Sequence, residues 1–254
     1  MHDLRGKTVL LTGASRGIGT ATARAIGVAG ANLVAHYGAH REGAEAAVRA
    51  IPEERRHLLQ ADLSKAGSAR ELWRGAVSWR GRVDVVIVNA ATMPETYLEG
   101  SDGAWDEGWE TALRVNVLEP VSLIREAVAH YLEHGGGTVI SLSSWAAQRG
   151  SAIPHLTAYA ASKAALANMT QTVARNYAAA GILAYVVAPG IVRTRLSEAS
   201  AAARGGIEAV NAALAMGEMV PPEEVAELIA FLATGRCRHL TGATLDVNGA
   251  SNIR

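Results

Sequence analysis

Short runs of Val, Ile and Leu recur along the chain, and longer Ala-rich stretches of helical character separate them. Several runs are continuously apolar, which is typical of strands that are covered on both faces. Alternation of such strands with helices predicts a parallel sheet with helices on both sides. The predicted strands cover residues 7–11, 31–37, 57–60, 83–90, 137–142, 182–189 and 243–247. Since no repeat, low-complexity tract or Pro/Gly/Ser-rich linker interrupts the pattern, we expect one domain over residues 1–254.

Residues 195–220 break this pattern. The segment consists of small residues, is weakly periodic and is interrupted by the pair Gly205-Gly206. Two interpretations remain open, namely a mobile helical lid over a substrate site and an ordinary helical hairpin on the surface.

The chain carries 24 Lys and Arg residues against 24 Asp and Glu residues, so its formal net charge is zero. It has no block of basic residues, which argues against a sequence-independent grip on nucleic acid or on an anionic membrane. A single cysteine, Cys237, allows no disulfide within the chain and fits a reducing compartment. The first residues lack the pattern of a signal peptide, and no apolar run approaches about 20 residues. We therefore expect a cytoplasmic protein.

A glycine-rich turn follows the first predicted strand and precedes a predicted helix. Its sequence is TGASRGIG, with Gly13, Gly17 and Gly19 in the spacing G-x-x-x-G-x-G. Residues without a Cβ permit a tight turn and let a pyrophosphate approach the backbone N–H groups of a helix N-terminus. Many turns contain three glycines, but their place between a strand and a helix predicts a dinucleotide site.

The residues around the second predicted strand indicate which dinucleotide binds. An acidic residue at the end of this strand would hold the ribose 2′-hydroxyl of NAD, and here no Asp or Glu occurs before Glu42. Arg16 in the glycine turn and Arg41 after the strand carry a charge that suits a 2′-phosphate. For Arg41, a solvated position at the start of a helix is an equally good interpretation. We therefore favour NADP(H) over NAD(H).

A second motif is AYAASKAAL (158–166), in which Tyr159 and Lys163 are four residues apart. In a helix that spacing places both side chains on one face, one turn apart. An ammonium beside a phenol favours the phenolate, so we expect Lys163 together with an oxidised nicotinamide to lower the pKa of Tyr159 from about 10. A tyrosine tuned in this way can protonate a ketone oxygen while hydride arrives at the carbon. Taken alone, the pair also fits a plain surface helix.

Two further polar positions stand out upstream. Ser143 and Ser144 fall at the C-terminal end of a predicted strand, where ligands collect in parallel sheets. A hydroxyl there can donate to a developing alkoxide. Asn116 lies in an otherwise apolar stretch of a predicted long helix, where by itself it fits a hydrogen-bonded core residue.

In this order the motifs resemble those of the short-chain dehydrogenase/reductase family, and the resemblance covers nearly the whole chain. TGASRGIG fits the family's T-G-x-x-x-G-x-G, and YAASK fits its Y-x-x-x-K. VDVVIVNAAT is similar to its fourth strand and N-N-A-G motif, VAPGIVRT to its P-G turn, and residues 221–250 to its C-terminal helix and strand. The resemblance implies an α/β fold with a Rossmann-type, doubly wound parallel sheet of seven strands in the order 3-2-1-4-5-6-7.

The general likeness is to the 3-oxoacyl-[acyl-carrier-protein] reductases and related ketone reductases. It implies an oxidoreductase that transfers hydride between NADP(H) and a carbonyl or secondary alcohol. Tyr159 would be the general acid and base, Ser144 would hold the carbonyl oxygen, and Lys163 would bind the ribose and tune Tyr159. Asn116 would hold a water molecule in a proton relay.

The resemblance also implies contacts for coenzyme and substrate. The coenzyme contacts would be Gly13, Ser15, Arg16, Gly17, Ile18, Gly19, Tyr37, Asp62, Leu63, Asn89, Ala90, Tyr159, Lys163, Pro189, Gly190, Ile191 and Thr194. The substrate contacts, which describe a fairly apolar pocket, would be Met93, Trp145, Ile153, His155 and Met216. Ordinary packing is the alternative for each substrate residue.

The sequence departs from the family pattern at several points. Val88 and Ala91 replace the first Asn and the Gly of N-N-A-G, and Ala250 stands where a second Gly is common. The separation between Ser144 and Tyr159 is slightly longer than usual, so Ser143 remains the alternative to Ser144.

Two other functions fit parts of this sequence. A catalytically silent NADP-binding sensor would need the glycine turn but none of the four catalytic candidates, whose presence favours an enzyme. An NAD-dependent alcohol dehydrogenase of the same family is a further alternative. The pairs His36/His40 and His130/His134 lack a third ligand at suitable spacing, so we expect no metal.

Assembly is inferred from the resemblance alone. Relatives usually form tetramers through two long helices, which here would cover about 104–130 and 157–179. We expect a homotetramer or homodimer that acts on a small carbonyl compound or thioester.

Overall fold

The computed structural model describes residues 2–202 and 205–253. Its centre is a seven-stranded sheet in the order β3-β2-β1-β4-β5-β6-β7, in which every neighbouring pair is parallel. The strands are β1 (Thr8–Leu11), β2 (Asn32–Tyr37), β3 (Arg56–Gln60), β4 (Val85–Val88), β5 (Gly137–Leu142), β6 (Ile182–Pro189) and β7 (Thr244–Val247). This order confirms the predicted fold.

Helices connect the strands and cover both faces of the sheet. They are α1 (Gly17–Val28), α2 (Arg41–Val48), α3 (Ser68–Arg80), α4 (Asp102–Leu113), α5 (Glu119–Glu133), α6 (Ala146–Arg149), α7 (Thr157–Tyr177), α8 (Arg195–Ala202), α9 (Gly206–Ala212) and α10 (Pro222–Ala233). Short 3₁₀ turns cover Glu53–Arg55, Ala178–Ala180 and Arg238–Leu240, and a π-helical turn, Arg114–Leu118, joins α4 to α5.

Two apolar layers follow from the alternation of side chains along the strands. In β2, Leu33 and Ala35 pack in one layer with the buried faces of α1 and α10, whereas Val34 packs in the other. The second layer contains the buried faces of α3, α5 and α7. Because both faces are covered, the central strands are apolar along their whole length, as the sequence pattern predicts.

The parallel arrangement brings the carboxyl ends of the strands to one edge of the sheet. The glycine turn follows β1, Asn89 follows β4, Ser143 and Ser144 follow β5, and Gly190 follows β6. Ligands of open α/β sheets bind at this edge. The fold therefore gathers motifs that are far apart in the sequence.

Residues 195–220 form the helices α8 and α9, although residues 203 and 204 lie outside the described part of the chain. The base of the segment is held by a parallel bridge between Val192 and Val220. Its apolar contacts form a small cluster around Ala201, Val210 and Met219. Among the described residues, no helix has the length and apolar character needed to cross a membrane.

Candidate active site

The glycine turn between β1 and α1 depends on residues without side chains. Gly13 and Gly17 have φ angles of +72° and +52°, a region that favours glycine. A Cβ at Gly13 would lie 2.9 Å from Cα of Ala90, and one at Gly19 would overlap the carbonyl oxygen of Gly13. A side chain at Gly13 or Gly19 would therefore collide with neighbouring backbone atoms, so the turn requires glycine at both positions.

Hydrogen bonds from β4 hold this turn in place. The amide nitrogen of Asn89 donates to the carbonyl oxygens of Thr12 (2.9 Å) and Gly13 (3.0 Å). The hydroxyl of Thr12 in turn accepts the N–H groups of Asn89 (2.9 Å) and Ala90 (3.0 Å). Sequence reasoning placed Asn89 and Ala90 near a ribose, and the structure adds that both brace the turn.

The start of α1 has the features of an anion site. In the described part of the chain no side chain caps this helix, and its first turn contains no acidic residue. Its N–H groups and the positive end of its dipole are therefore available to a phosphate. A Cβ at Gly17 would lie 2.9 Å from Cγ2 of Thr194, so the turn forms a narrow cradle against the segment after β6. The residues present fit a dinucleotide.

The other predicted coenzyme residues lie around this cradle. Arg16 is exposed and forms no ion pair with any described residue, whereas the exposed Arg41 bonds to Glu45 (2.8 Å) and Tyr37. Tyr37 ends β2 and is buried. Asp62 follows β3, and hydrogen bonds from Ser64 hold the pKa of its carboxyl below the ordinary value. Ser15 and Ile18 lie in the glycine turn, and Leu63, which follows Asp62, is buried.

The segment after β6 faces the turn. Pro189 ends the strand, the N–H of Gly190 donates to Val247 (2.9 Å), and Ile191 accepts the N–H of Val220 (2.9 Å). The hydroxyl of Thr194 accepts the N–H of Ser197 (3.3 Å), and the Ser197 hydroxyl accepts the N–H of Thr194 (2.9 Å). This reciprocal pair begins α8, so Thr194 joins the coenzyme cradle to the 195–220 segment.

At the end of β5 the two adjacent serines point in different directions. The hydroxyl of Ser143 donates to the backbone oxygen of Lys163 (3.0 Å). The hydroxyl of Ser144 accepts the N–H of Ala146 (3.2 Å) and is hydrogen-bonded to the phenol of Tyr159. The geometry thus favours Ser144 over Ser143 as the partner of Tyr159.

Lys163 lies one helical turn beyond Tyr159 and is almost fully buried, with 3% of its surface exposed. Its Nζ lies 5.9 Å from the centre of the Tyr159 ring and donates to the carbonyl oxygen of Leu142 at 2.7 Å. Burial disfavours the charged form and lowers its pKa to about 8. At neutral pH the side chain is still an ammonium, with two further donors.

The pKa of Tyr159 differs from the expectation. Burial raises it above the ordinary value, and the hydrogen bond from Ser144 offsets this only in part. The lowering expected from Lys163 and an oxidised nicotinamide is not seen in this structure, where desolvation of the phenol is the largest effect. Tyr159 is therefore a protonated phenol at neutral pH.

Asn116 lies in the π-helical turn between α4 and α5, where it is fully buried. Its amide accepts the N–H of Thr92 (2.8 Å) and donates to the carbonyl oxygen of Thr92 and the hydroxyl of Ser162 (both 2.9 Å). Ser162 donates to the carbonyl oxygen of Tyr159 at 2.7 Å. Asn116 thus connects the loop after β4 to the helix that carries Tyr159. π-Helical turns are frequently found at functional sites.

Thr96 is a site residue that the motifs did not reveal. It is 1% exposed, and its hydroxyl accepts the N–H of Ala158 (3.2 Å) and contacts the hydroxyl of Thr157 (2.7 Å). Its N–H donates to the carbonyl oxygen of His155 at 2.7 Å. Thr96 therefore caps α7 from another segment, and no local sequence spacing signals such a contact.

The predicted substrate residues are only partly brought together. Trp145 follows Ser144 and His155 precedes α7, and the His155 ring lies 5.0 Å from that of Tyr97. Ile153 is in the same loop as His155, and Met93 is half-buried in the loop after β4. Met216 is 66% exposed and lies beside Gly249, with no described contact to Tyr159.

The histidine pairs contain no evident metal site. Within residues 2–202 and 205–253, no three His, Cys, Asp or Glu side chains form a group that could hold a metal ion. His130 and His134 stack on each other at 3.9 Å, and both ring nitrogens of His36 contact backbone groups.

Comparison with known proteins places this geometry in a family. A family model described as enoyl-(acyl carrier protein) reductase matches residues 13–251. The chain is 36% identical to 3beta-hydroxysteroid dehydrogenase 1 of Eggerthella lenta over 260 residues, which cover 99% of this chain and 95% of that protein.

Two solved structures are similar over nearly their whole length. One is a 3-oxoacyl (acyl-carrier-protein) reductase from Agrobacterium tumefaciens C58 with NADP bound, at a TM-score of 0.87, 31% identity and coverage of 97% and 95% of the two chains. The other is a 3-ketoacyl-(acyl-carrier-protein) reductase from Brucella melitensis complexed with NADH, at a TM-score of 0.86, 26% identity and coverage of 99% and 100%. The chain is an oxidoreductase and belongs to the short-chain dehydrogenase/reductase family, which confirms the family predicted from the motifs.

Proposed function

We propose that this oxidoreductase uses NADP(H) to interconvert a ketone or 3-oxoacyl thioester and the corresponding secondary alcohol. The observation that carries the proposal is the position of the Lys163 Nζ, 5.9 Å from the centre of the Tyr159 ring, in a site where Ser144 also interacts with the phenol. This group lies at the same sheet edge as the glycine turn. A carbonyl that contacts both hydroxyls would face the nicotinamide end of a dinucleotide bound along that edge.

Each side chain has a role that follows from its surroundings. When bound, the nicotinamide supplies hydride to the carbonyl carbon or accepts it from the alcohol carbon. Ser144 donates a hydrogen bond to the substrate oxygen, and Tyr159 gives its phenolic proton to that oxygen during reduction. The raised pKa of Tyr159 keeps this proton in place at neutral pH, so the phenol is in the protonated form that reduction requires. The two donors of Lys163 that Leu142 does not use are available to the coenzyme ribose.

The choice of NADP(H) rests on charge at the adenosine end. Arg16 is exposed beside the uncapped start of α1, and β2 ends in Tyr37 rather than in an acidic residue. Arg41 contributes less, because its guanidinium already bonds to Glu45. We expect Arg16→Gln to raise the KM for NADPH about tenfold and to leave the KM for NADH nearly unchanged. Arg41→Gln is the matched control and should have the smaller effect.

A panel assay tests the proposed function directly. Oxidation of NADPH and of NADH is followed with acetoacetyl thioesters, cyclic ketones and quinones as substrates. We expect turnover with a ketone or 3-oxoacyl thioester and a higher kcat/KM for NADPH. Tight coenzyme binding without turnover of any substrate would instead indicate a silent sensor, and a preference for NADH with alcohols would indicate an NAD-dependent dehydrogenase.

We further propose that residues 195–220 act as a lid over the substrate, within a single domain. Support comes from Thr194, which lies against Gly17 and begins α8. Coenzyme in this cradle would contact the first turn of the segment. Limited proteolysis should cut this segment more slowly when NADP⁺ is present, and equal rates would contradict the lid.

The proposed assembly is a homotetramer or a homodimer. Leu113 and Leu118, at the junction of α4 and α5, are 37% and 49% exposed, and Leu132 near the end of α5 is 52% exposed. Large exposed apolar side chains along this pair of helices favour burial against another copy. Sedimentation at micromolar concentration should show an oligomer, and a strict monomer would refute the proposal.

A further inference from the structure

One buried histidine joins the two halves of the proposed coenzyme site. His36, the penultimate residue of β2, is 2% exposed. Its Nδ1 accepts the N–H of Gly13 at 3.0 Å, and its Nε2 lies 3.0 Å from the carbonyl oxygen of Ala61. The ring thus connects the turn after β1 to the residue that follows β3.

These contacts fix the protonation state of the ring. Since an N–H group of Gly13 points at Nδ1, that nitrogen carries no proton, and Nε2 carries the proton that is donated to Ala61. Burial lowers the pKa of His36, which keeps the ring neutral, and the Ala61 carbonyl opposes this shift in part. Among the described residues, no charged side chain contributes to this shift, because the groups that face the ring are backbone atoms of the glycine turn and of Ala61.

The two contacts of the His36 ring lie at different parts of the proposed coenzyme site. Gly13 belongs to the phosphate turn, and Ala61 belongs to the loop proposed to bind the adenine. The peptide groups of Gly13 are held from both sides, with the N–H on His36 and the carbonyl oxygen on Asn89. Gly13 therefore has a fixed orientation, and the N–H of the next residue, Ala14, donates to the backbone carbonyl oxygen of His36 (2.9 Å). Ala61 immediately precedes Asp62 and Leu63, which would line the adenine.

We propose that His36 is a positioning residue for the coenzyme, which sets the affinity for the dinucleotide by holding the phosphate turn and the adenine loop in one geometry. The proposal rests on the proposed function, since it requires that a dinucleotide binds at this edge. It concerns binding rather than the chemical step, because the ring contacts neither Tyr159 nor Lys163. Loss of His36 should therefore raise the coenzyme Kd and KM and change kcat little.

Two isosteric variants separate the two contacts. In His36→Asn the side-chain oxygen takes the place of Nδ1 and still accepts the N–H of Gly13. In His36→Gln the amide nitrogen reaches the position of Nε2 and can bond to Ala61, but the acceptor for Gly13 is lost. His57→Gln is the matched control, because this histidine of the adjacent strand stacks on Trp79 and contacts no part of the turn.

The experiment measures the Kd of NADP⁺ by protein fluorescence, the KM and kcat with NADPH, and thermal unfolding. We expect the Kd to rise about tenfold in His36→Gln, to stay within about threefold of wild type in His36→Asn, and to be unchanged in His57→Gln. The kcat at saturating coenzyme should stay within about twofold in all folded variants.

The outcomes distinguish failure of the proposed function from failure of the role proposed for His36. A wild-type protein that binds neither NADP⁺ nor NAD⁺ would overturn the proposed function together with this inference. A wild-type protein that binds coenzyme, with His36→Gln equally tight or with a loss confined to kcat, would overturn the inference alone. If His36→Asn and His36→Gln show equal decreases in unfolding temperature and equal decreases in NADP⁺ affinity, His36 has only a structural role and the inference is wrong.

Discussion

Lys163 offers a sharp test, because the site geometry predicts that removing a functional residue makes the protein more stable. The side chain is almost fully buried and makes one hydrogen bond, to Leu142. Burial lowers its pKa from 10.5 to about 8. This decrease of about 2.5 in the pKa of Lys163 means that burying the charge lowers the free energy of unfolding by about 3 kcal/mol.

The expected gain in Lys163→Met follows from that cost. The substitution removes the charge and keeps most of the side-chain volume, but it leaves the Leu142 carbonyl without its donor, at a cost of about 1 kcal/mol. The net effect at pH 7 is a stabilisation of about 2 kcal/mol. For a protein of this size, that raises the Tm by about 4–8 °C. Turnover should be lost, since the proposed role of Lys163 is to bind the coenzyme ribose.

The pH dependence gives the sign of the effect. Because the folded-state pKa is lowered, the unfolded chain binds a proton that the native protein releases between about pH 8 and 10.5. The stability of the wild type should therefore rise relative to that of Lys163→Met as the pH rises through this window, and the gap should be largest below pH 8.

Urea unfolding followed by tryptophan fluorescence at pH 7 and pH 9.5 measures this gap. Lys7→Met is the control, because Lys7 also donates to carbonyl oxygens, at Ala233 and Thr234, but lies outside the site and is less buried. It should show a smaller change and keep its turnover. A Lys163→Met protein that is less stable than wild type at pH 7, with the same difference at both pH values, would refute the reasoning.

Two further predictions concern the supports of the site. In Gly19→Ala the new Cβ overlaps the Gly13 carbonyl oxygen, so unfolding free energy should fall by about 1–3 kcal/mol and coenzyme affinity should fall with it, as measured by thermal unfolding and NADP⁺ titration. In Thr96→Val the N–H of Ala158 loses its acceptor at the start of the helix that carries Tyr159. We expect a loss of about 1–3 kcal/mol in stability and a lower kcat/KM, measured by urea unfolding and steady-state kinetics.

Matched controls keep these two predictions specific. Gly103→Ala also lies in a helix, but a Cβ there meets nothing within 4 Å, so it should be neutral or stabilising by up to about 1 kcal/mol. Thr172→Val removes an exposed hydroxyl from α7 and should change neither quantity appreciably. Gly19→Ala with undiminished coenzyme affinity, or Thr96→Val with the activity of Thr172→Val, would contradict the assigned supports.

The strand pattern predicted most of the fold because burial on both faces leaves a clear trace in the sequence. The predicted strand 83–90, for example, contains the observed Val85–Val88, and 137–142 coincides with β5. The long helix predicted near 104–130 is instead divided by the π-helical turn around Asn116. A π-helical turn contains one more residue than an α-helical turn, and the pattern of apolar residues does not reveal that residue. The division of the long helix could therefore not be predicted from the sequence pattern.

The sequence predicted those parts of the candidate site whose residues are close together in the chain. The spacing of Tyr159 and Lys163 placed both residues correctly on one helix. The choice of Ser144 over Ser143 stays a prediction, which the interaction of Ser144 with Tyr159 favours. The upward pKa shift of Tyr159 could not be predicted from the spacing, because it depends on burial by segments that are distant in the sequence. The same holds for Thr96, whose contacts with α7 span about 60 residues.

Ala250 shows that a departure from a motif can have a structural consequence. It stands at a position where the resemblance to the family implies glycine, and it is the one non-glycine residue of the described chain with a positive φ angle, at 59°. A Cβ disfavours that conformation, so the C-terminal loop is strained at this residue.

The central claim is that the phenol of Tyr159 delivers the proton to the substrate oxygen, and Tyr159→Phe tests it most directly. The measurement is kcat with saturating NADPH and a competent ketone, together with the Kd of NADP⁺. The structure predicts a Kd within about threefold of wild type and a kcat lower by about 10²–10⁴-fold, the usual contribution of a positioned general acid. A folded Tyr159→Phe protein that reduces the ketone at the wild-type rate would contradict the account.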